Sequence, residues 1–125
     1  MSEPRTVLVV DDEPDTTEFL KGVLEREFRV LEAGNAVEAE AILDKEPRID
    51  AIVSDYSMPG MTGVELLKRS LLSHPNTARV LFTATDRVEE LKDAVNAARV
   101  RRFLCKPARP SEILDAVKDA VREAS

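Results

Sequence analysis

The segment IDAIVSDYSMPG, residues 49–60, joins an apolar run to a polar turn that begins at Asp55. A second run, VLVV at residues 7–10, is wholly apolar and leads directly into Asp11. Apolar runs without alternation between inward and outward residues indicate strands that are buried on both faces. We therefore expect these two strands at the centre of a parallel sheet that helices cover on both sides.

Similar apolar runs recur along the chain and are separated by segments with helical spacing. Short runs rich in β-branched residues occupy residues 6–10, 29–33, 49–54, 79–83 and 100–105. Between them, apolar residues recur at helical spacing: Phe19, Leu20, Val23 and Leu24, then Val37, Ala39, Ala41, Ile42 and Leu43, then Val64, Leu67 and Leu71, then Val88, Leu91, Val95 and Ala98, and finally Ile113, Leu114, Val117, Ala120 and Val121. Strands that alternate with helices require right-handed crossovers, so the sequence predicts an α/β fold, a doubly wound five-stranded parallel sheet with five helices.

The composition fits one ordinary domain spanning residues 1–125. Hydrophobic residues make up 43% of the chain, and the net charge of −6 argues against binding to the phosphate backbone of nucleic acids. No apolar run approaches the roughly 20 residues of a membrane span, and the start, MSEPRT, has no apolar signal core. We expect a cytoplasmic protein without a membrane partner.

Cysteine and histidine each occur once. The single Cys105 excludes an intramolecular disulfide, and we expect a small buried hydrophobic side chain rather than a reactive thiol. His74, beside Pro75 at the end of a predicted helix, is expected at the surface rather than as a phosphodonor or metal ligand.

Polar side chains meet where four of the predicted strands end. Asp11 and Asp12 follow the first strand, Asp55 follows the third, Thr83 closes the fourth, and Lys106 follows the fifth. Crowded carboxylates need a cation, and hard oxygen ligands favour Mg²⁺ or Ca²⁺. A lysine and a hydroxyl in the same crevice suit a phosphoryl group. Each residue alone also fits a turn or a helix end, but their shared edge predicts a phosphotransfer site.

Over residues 5–121 the chain resembles the receiver domain of two-component response regulators. The resemblance rests on four motifs, each after its own predicted strand: Asp11-Asp12, Asp55 with Met58-Pro59 and Gly63, Thr83-Ala84, and Lys106-Pro107. It implies the flavodoxin-like strand order 2-1-3-4-5. It also implies a signalling switch rather than an enzyme.

The resemblance implies a Mg²⁺ site. Asp12 matches the direct metal ligand, and Asp11 matches a residue that acts mainly through water. Asp55 and the backbone carbonyl of Ser57 complete the protein ligands that the family pattern implies.

The resemblance also assigns the phosphoryl chemistry. Asp55 matches the phosphoacceptor, Lys106 the lysine that pairs with the phosphoryl group, and Thr83 the hydroxyl that moves towards it. Phe103 matches the aromatic switch position, with a core aromatic as the alternative. The family pattern further implies a cis peptide bond before Pro107.

The partners implied are a sensor histidine kinase or a phosphotransfer protein, and an effector domain or protein that contacts the fourth helix, fifth strand and fifth helix. Homodimer formation is left open. Basic Arg101-Arg102 and small Ala108 are similar to receivers attached to enzymatic outputs, or to certain transcriptional activators, which disfavours direct binding of nucleic acid. The rim residues Ser57 and Thr85 are small and polar, so water is expected to reach the phosphoryl group.

The sequence disfavours two other functions. Haloacid-dehalogenase-like phosphatases also combine an Asp nucleophile with Mg²⁺, but they need a second Asp two residues later, where this chain has Ser57. Flavin binding on the same fold needs a phosphate cradle after the first strand, and the acidic loop DDEPD at residues 11–15 would repel the flavin phosphate.

Overall fold

The computed structural model describes residues 4–84 and 88–124, without the side chains of residues 88–90. In this part of the chain, strands and helices alternate. The strands are β1 Arg5–Val10, β2 Phe28–Ala33, β3 Ala51–Ser54, β4 Ala78–Thr83 and β5 Val100–Cys105. The helices are α1 Pro14–Leu24, α2 Ala36–Lys45, α3 Gly63–Ser73, α4 Val88–Ala97 and α5 Pro110–Ala124.

All strands are parallel and lie in the order β2-β1-β3-β4-β5, which confirms the predicted fold. The inner strand β3 is buried at every position, whereas the edge strands β2 and β5 are partly exposed. The predicted third strand started at residue 49, but the ladder begins at Ala51. Asp50 instead closes the junction with β1: its N–H donates to the Thr6 carbonyl and its carboxylate accepts the Thr6 N–H, both at 2.8 Å.

Helices cover both faces of the sheet. One core packs α1 and α5 against it through residues such as Leu20, Leu24, Ile113 and Val117. The other packs α2 and α3 through residues such as Leu43 and Leu67. Among the helices described, none has both the length and the apolar character needed to cross a bilayer.

Two predicted helix faces were partly wrong. Phe19 is 43% exposed, because α1 buries Thr17, Leu20 and Leu24 instead. In α2 the buried residues are Ala36, Ala39 and Leu43, while Val37 is 79% exposed and Ala41 also faces solvent. The buried residues of α2 recur at three- and four-residue spacing on one face, and Val37 and Ala41 lie on the other side of the helix.

The predictions for His74 and Cys105 were also wrong. His74 is buried, with Nε2 at 2.8 Å from the Glu46 carbonyl oxygen and Nδ1 at 2.7 Å from Ser73 Oγ. Cys105 is exposed, because it is the last residue of the edge strand β5, which pairs only with β4.

Candidate functional site

The pairing of β1 with β3 brings two aspartates side by side. Val10 lies opposite Ser54 in the ladder, so Asp11 and Asp55 are the next residues on neighbouring strands. The Asp55 N–H donates to the Val10 carbonyl at 3.0 Å, which continues the pairing past the strand ends. Asp12 adjoins them, and one carboxylate oxygen from each of the three aspartates lies within 4.8 Å of the others. Such a cluster offers hard ligands to a divalent cation.

The two adjacent aspartates have different environments. Asp11 is 1% exposed, and its carboxylate accepts hydrogen bonds from Lys106 Nζ at 2.7 Å and from the Glu13 N–H at 2.9 Å. Asp12 is exposed to solvent. Asp11 is therefore committed to protein partners, whereas the Asp12 carboxylate is open to a ligand from outside.

The ammonium group of Lys106 contributes a positive charge to the site. Its N–H donates to the Thr83 carbonyl at 2.9 Å, which fixes the end of β5 against the end of β4. Its Nζ lies 3.7 Å from Asp55 Oδ2 and 5.5 Å from the centre of the Phe82 ring. The Lys106–Pro107 peptide bond is cis, which confirms what the resemblance implied.

Asp55 is buried, and several neighbours influence its charge. Burial raises the pKa of its carboxyl group above the usual range, and the negative charge of Asp11 adds to this. The positive charge of Lys106 lowers the same pKa, as do the hydrogen bonds from the Thr83 hydroxyl and from the Tyr56 N–H, the latter at 2.8 Å. The Thr83 hydroxyl therefore already contacts Asp55 in this structure, although the resemblance implied a movement towards the site.

The start of α3 holds the backbone of Asp55 in place. The Gly63 N–H donates to the Tyr56 carbonyl at 2.8 Å, and Ser54 Oγ donates to the Asp55 carbonyl at 2.9 Å. A Cβ atom on Gly63 would lie 1.8 Å from the Asp55 carbonyl oxygen. Gly63 is thus required by space, a reason that its place in a sequence motif did not reveal.

The remaining predicted residues lie around this centre. Ser57 is exposed two residues beyond Asp55. Phe103, opposite Leu81 on β4, is half-buried and packs against the core on the α2–α3 side of the sheet. Thr85, the other predicted rim residue, lies outside the described residues.

Comparisons with known proteins identify the family of the chain. Residues 7–118 match the response regulator receiver domain family. The hydrogenase transcriptional regulatory protein HoxA of Cupriavidus necator is 39% identical over 93% of this chain and 24% of its own length. Sporulation initiation phosphotransferase F of Bacillus subtilis is 32% identical over 90% of each chain.

A solved structure supports the fold independently. The CheY-like receiver domain protein of Methanospirillum hungatei superposes with a TM-score of 0.90 at 25% identity, over 98% of this chain and 97% of that one. Coverage differs among the relatives, since the chain spans about a quarter of the length of the hydrogenase regulators that it matches.

Proposed function

Because the chain belongs to the receiver domain family of two-component response regulators, we propose that Asp55 is its phosphoacceptor in phosphorylation-dependent signalling. The observation that carries this proposal is the cluster at the carboxyl edge of the sheet. There the buried Asp55 carboxylate lies between two further aspartates, one lysine and one threonine hydroxyl.

The donor set fits Mg²⁺. Three carboxylates converge with Lys106 as their ion-pair partner among the described residues, so a divalent cation would neutralise the excess negative charge. We assign the exposed Asp12 carboxylate, the buried Asp55 carboxylate and the Ser57 carbonyl as direct ligands, with Asp11 acting through water. When bound, the ion would offset the charge of the incoming phosphoryl oxygens.

The proposed step is a phosphoryl transfer from a phosphohistidine of a partner kinase or phosphotransfer protein. A carboxylate oxygen of Asp55 forms a bond to phosphorus, while the bond from phosphorus to the imidazole nitrogen breaks and its electron pair stays on the imidazole. Lys106 neutralises a phosphoryl oxygen, and the Thr83 hydroxyl donates to another. These roles are positioning and charge stabilisation, as in phosphoryl transfer generally.

We further propose how the phosphoryl group is sensed. Thr83 and Phe103 lie on adjacent strands, and β5 leads into α5. A change in the Thr83 contacts would be passed through Phe103 to the surface formed by α4, β5 and α5, where an effector domain or protein would bind. The chain would act as a single cytoplasmic receiver domain over residues 1–125, with its output in another domain or protein.

The kinase is proposed to approach over α1. This helix begins at Pro14, within the acidic segment of residues 11–15, and Phe19 lies about 8 Å along it from Pro14 at the usual rise per residue. Its exposed aromatic ring offers apolar contact area on the helix that follows Asp11 and Asp12.

Acetyl phosphate, a small phosphodonor, tests the proposal without a kinase. With Mg²⁺ the intact mass should increase by one phosphoryl group, and EDTA should prevent this. Asp55→Asn should abolish labelling, whereas the matched control Asp50→Asn should retain it, because Asp50 lies at the opposite edge of the sheet. Equal labelling of the Asp55→Asn variant would overturn the assignment.

A further inference from the structure

A second charged site lies at the amino edge of the sheet, away from the aspartate cluster. A groove of about 430 Å³ is lined by four arginines and by smaller residues, namely Arg79, Arg99, Arg101 and Arg102 with Pro75, Asn76, Thr77, Val100 and Ala124. Among the described residues, no Asp or Glu lines it. Arg79 precedes Thr83 by four residues of β4, about 13 Å along the strand. We call this feature the arginine groove.

Arg79 is a buried cation whose hydrogen-bond partners among the described residues are all uncharged. It is 3% exposed, and its guanidinium group donates to the carbonyls of His74 at 3.0 Å and Pro75 at 3.1 Å, and to Ser70 Oγ at 3.4 Å. Its Nε has no hydrogen-bond partner among the residues described. Burial lowers the pKa of Arg79 to about 10, and repulsion from Arg99 and Arg101 contributes. The carbonyls of His74 and Pro75 at the end of α3 hold this side chain without supplying a negative charge.

The backbone places two more arginines beside it at unusual positions. Arg99 follows α4 with a φ of 55°, in the left-handed region that favours glycine. Arg101 is the extra residue of a β-bulge, since Arg79 lies opposite Val100 and Val80 lies opposite Arg102. Both side chains are exposed, and neither forms an ion pair with a carboxylate of the described residues. Charged residues thus occupy a left-handed turn and a bulge next to a buried cation.

The local charge balance indicates an anionic ligand. Arg102 is paired with Glu123, which leaves three positive charges around the groove in a protein whose net charge is −6. One carboxylate satisfies one guanidinium group, as Glu123 does for Arg102. A phosphate group carries up to two negative charges and several acceptor oxygens, and it matches the forked geometry of arginine. The acidic character of the whole protein argues against a nucleic-acid chain as its source.

We propose that the arginine groove binds a phosphate group, either as free inorganic phosphate or as part of a small metabolite. Arg99 and Arg101 provide the direct contacts, and the buried charge of Arg79 strengthens them. The site is separate from the phosphoacceptor and does not depend on it.

Thermal unfolding tests the proposal with inorganic phosphate as the probe. EDTA is present throughout, so that metal-dependent binding at the carboxyl edge does not contribute. Sodium phosphate should raise the melting temperature of the wild type more than sodium chloride of equal ionic strength, with half-saturation on the order of 1 mM. Arg101→Ser should lose most of that excess. The matched control Arg69→Ser removes an exposed arginine on α3 and should keep it.

Arg99→Gly tests the proposal more sharply, because it should raise the melting temperature without phosphate but reduce the increase that phosphate causes. Glycine relieves the left-handed turn, so the melting temperature without phosphate should rise, while the gain on adding phosphate should shrink. Variants of Arg79 are not used, because Arg79 donates hydrogen bonds to the end of α3. Misfolding of such a variant would by itself explain a loss of phosphate binding.

Nuclear magnetic resonance locates the bound anion. Phosphate should shift the Arg79 Nε–H signal and the amides of residues 99–102, with smaller shifts at Lys106. Adenosine monophosphate in a parallel titration distinguishes the sources: tighter binding than inorganic phosphate indicates a nucleotide-like ligand, and equal binding indicates free phosphate. No saturable shift, shifts centred on Lys106, or full phosphate stabilisation of Arg99→Gly and Arg101→Ser would each overturn the proposal.

Discussion

Asp12 is the exposed member of the three clustered aspartates, and its charge has opposite consequences with and without metal. In EDTA its repulsion by Asp11 and Asp55 costs on the order of 1 kcal/mol. Asp12→Ala should therefore increase the free energy of unfolding in EDTA by about that amount. Mg²⁺ at ten times its dissociation constant should add about 1.4 kcal/mol to the wild type and little to the variant. Urea unfolding of both proteins, with and without Mg²⁺, measures the two effects.

Asp15→Ala is the matched control for this experiment. Asp15 is an exposed acidic residue in the first turn of α1, the helix that follows Asp12, and it lies outside the metal cluster. Its removal should slightly lower stability, because the charge favours the helix N-terminus, and the gain from Mg²⁺ should persist. If Asp12→Ala lowers stability in EDTA and still gains fully from Mg²⁺, Asp12 supports the helix and the metal assignment is wrong.

The sequence predicts the positions of some residues in the fold better than the burial of others. Asp11, Asp55 and Lys106 were predicted to meet because parallel strands end at the same edge, whatever the details of packing. His74 and Cys105 were misplaced because their burial depends on which strand lies at the edge and which loop covers a helix end. Those are tertiary facts that composition and local spacing do not contain.

At the scale of elements, the start of α3 is the most constrained junction. Gly63→Ala should lower the free energy of unfolding by about 3 kcal/mol or more, because the new Cβ would clash with the backbone carbonyl of Asp55 rather than with a movable side chain. Phosphorylation by acetyl phosphate should fall as well, since relief of the clash displaces the phosphoacceptor. Urea unfolding and intact mass spectrometry check both effects.

Gly22→Ala is the natural comparison, because nothing lies within 4 Å of a Cβ at Gly22 in the last turn of α1. This variant should gain about 0.5–1 kcal/mol from the higher helix propensity of alanine and should be phosphorylated normally. Equal stability of the two alanine variants would show that α3 can move away from Asp55 at little cost.

The sequence predicted the strands better than the buried faces of the helices, and the reason is physical. Strand positions were nearly correct, because a strand buried on both faces must be continuously apolar. The face of α2 was misread because Val37 and Ala41 share the helical spacing with the residues that are buried. The face of α2 that packs on the sheet carries Ala36, Ala39 and Leu43, and side-chain hydrophobicity alone does not show which face of a helix is turned to the sheet. The bulge at Arg101 left no recognisable pattern either.

In the whole molecule, the carboxyl edge of the sheet is predicted to meet the histidine kinase, and the amino edge is predicted to bind a phosphate group. Phe19→Ser should slow phosphotransfer from a histidine kinase by about tenfold, the cost of losing about 1.4 kcal/mol of contact energy. Labelling by acetyl phosphate should not change, because Phe19 does not belong to the phosphoacceptor site. Initial rates with radiolabelled kinase and with acetyl phosphate separate docking from chemistry.

Leu72→Ser is the matched control for kinase docking. Leu72 is 91% exposed near the end of α3, and its helix begins at the carboxyl edge, so it lies towards the amino edge. Its removal should leave both rates unchanged. Slowing by Leu72→Ser but not by Phe19→Ser would place the kinase on the other side of the molecule.

Borohydride reduction identifies which residue carries the phosphoryl group. An acyl phosphate on aspartate is reduced by borohydride to homoserine, whereas the free carboxylate is not. After treatment with acetyl phosphate and Mg²⁺, then borohydride and proteolysis, tandem mass spectrometry should find homoserine at position 55, and EDTA should suppress it. Homoserine at Asp11, at Asp12 or at another aspartate, or its absence when the intact protein carries a phosphoryl group, would contradict the assignment of Asp55 as the phosphoacceptor.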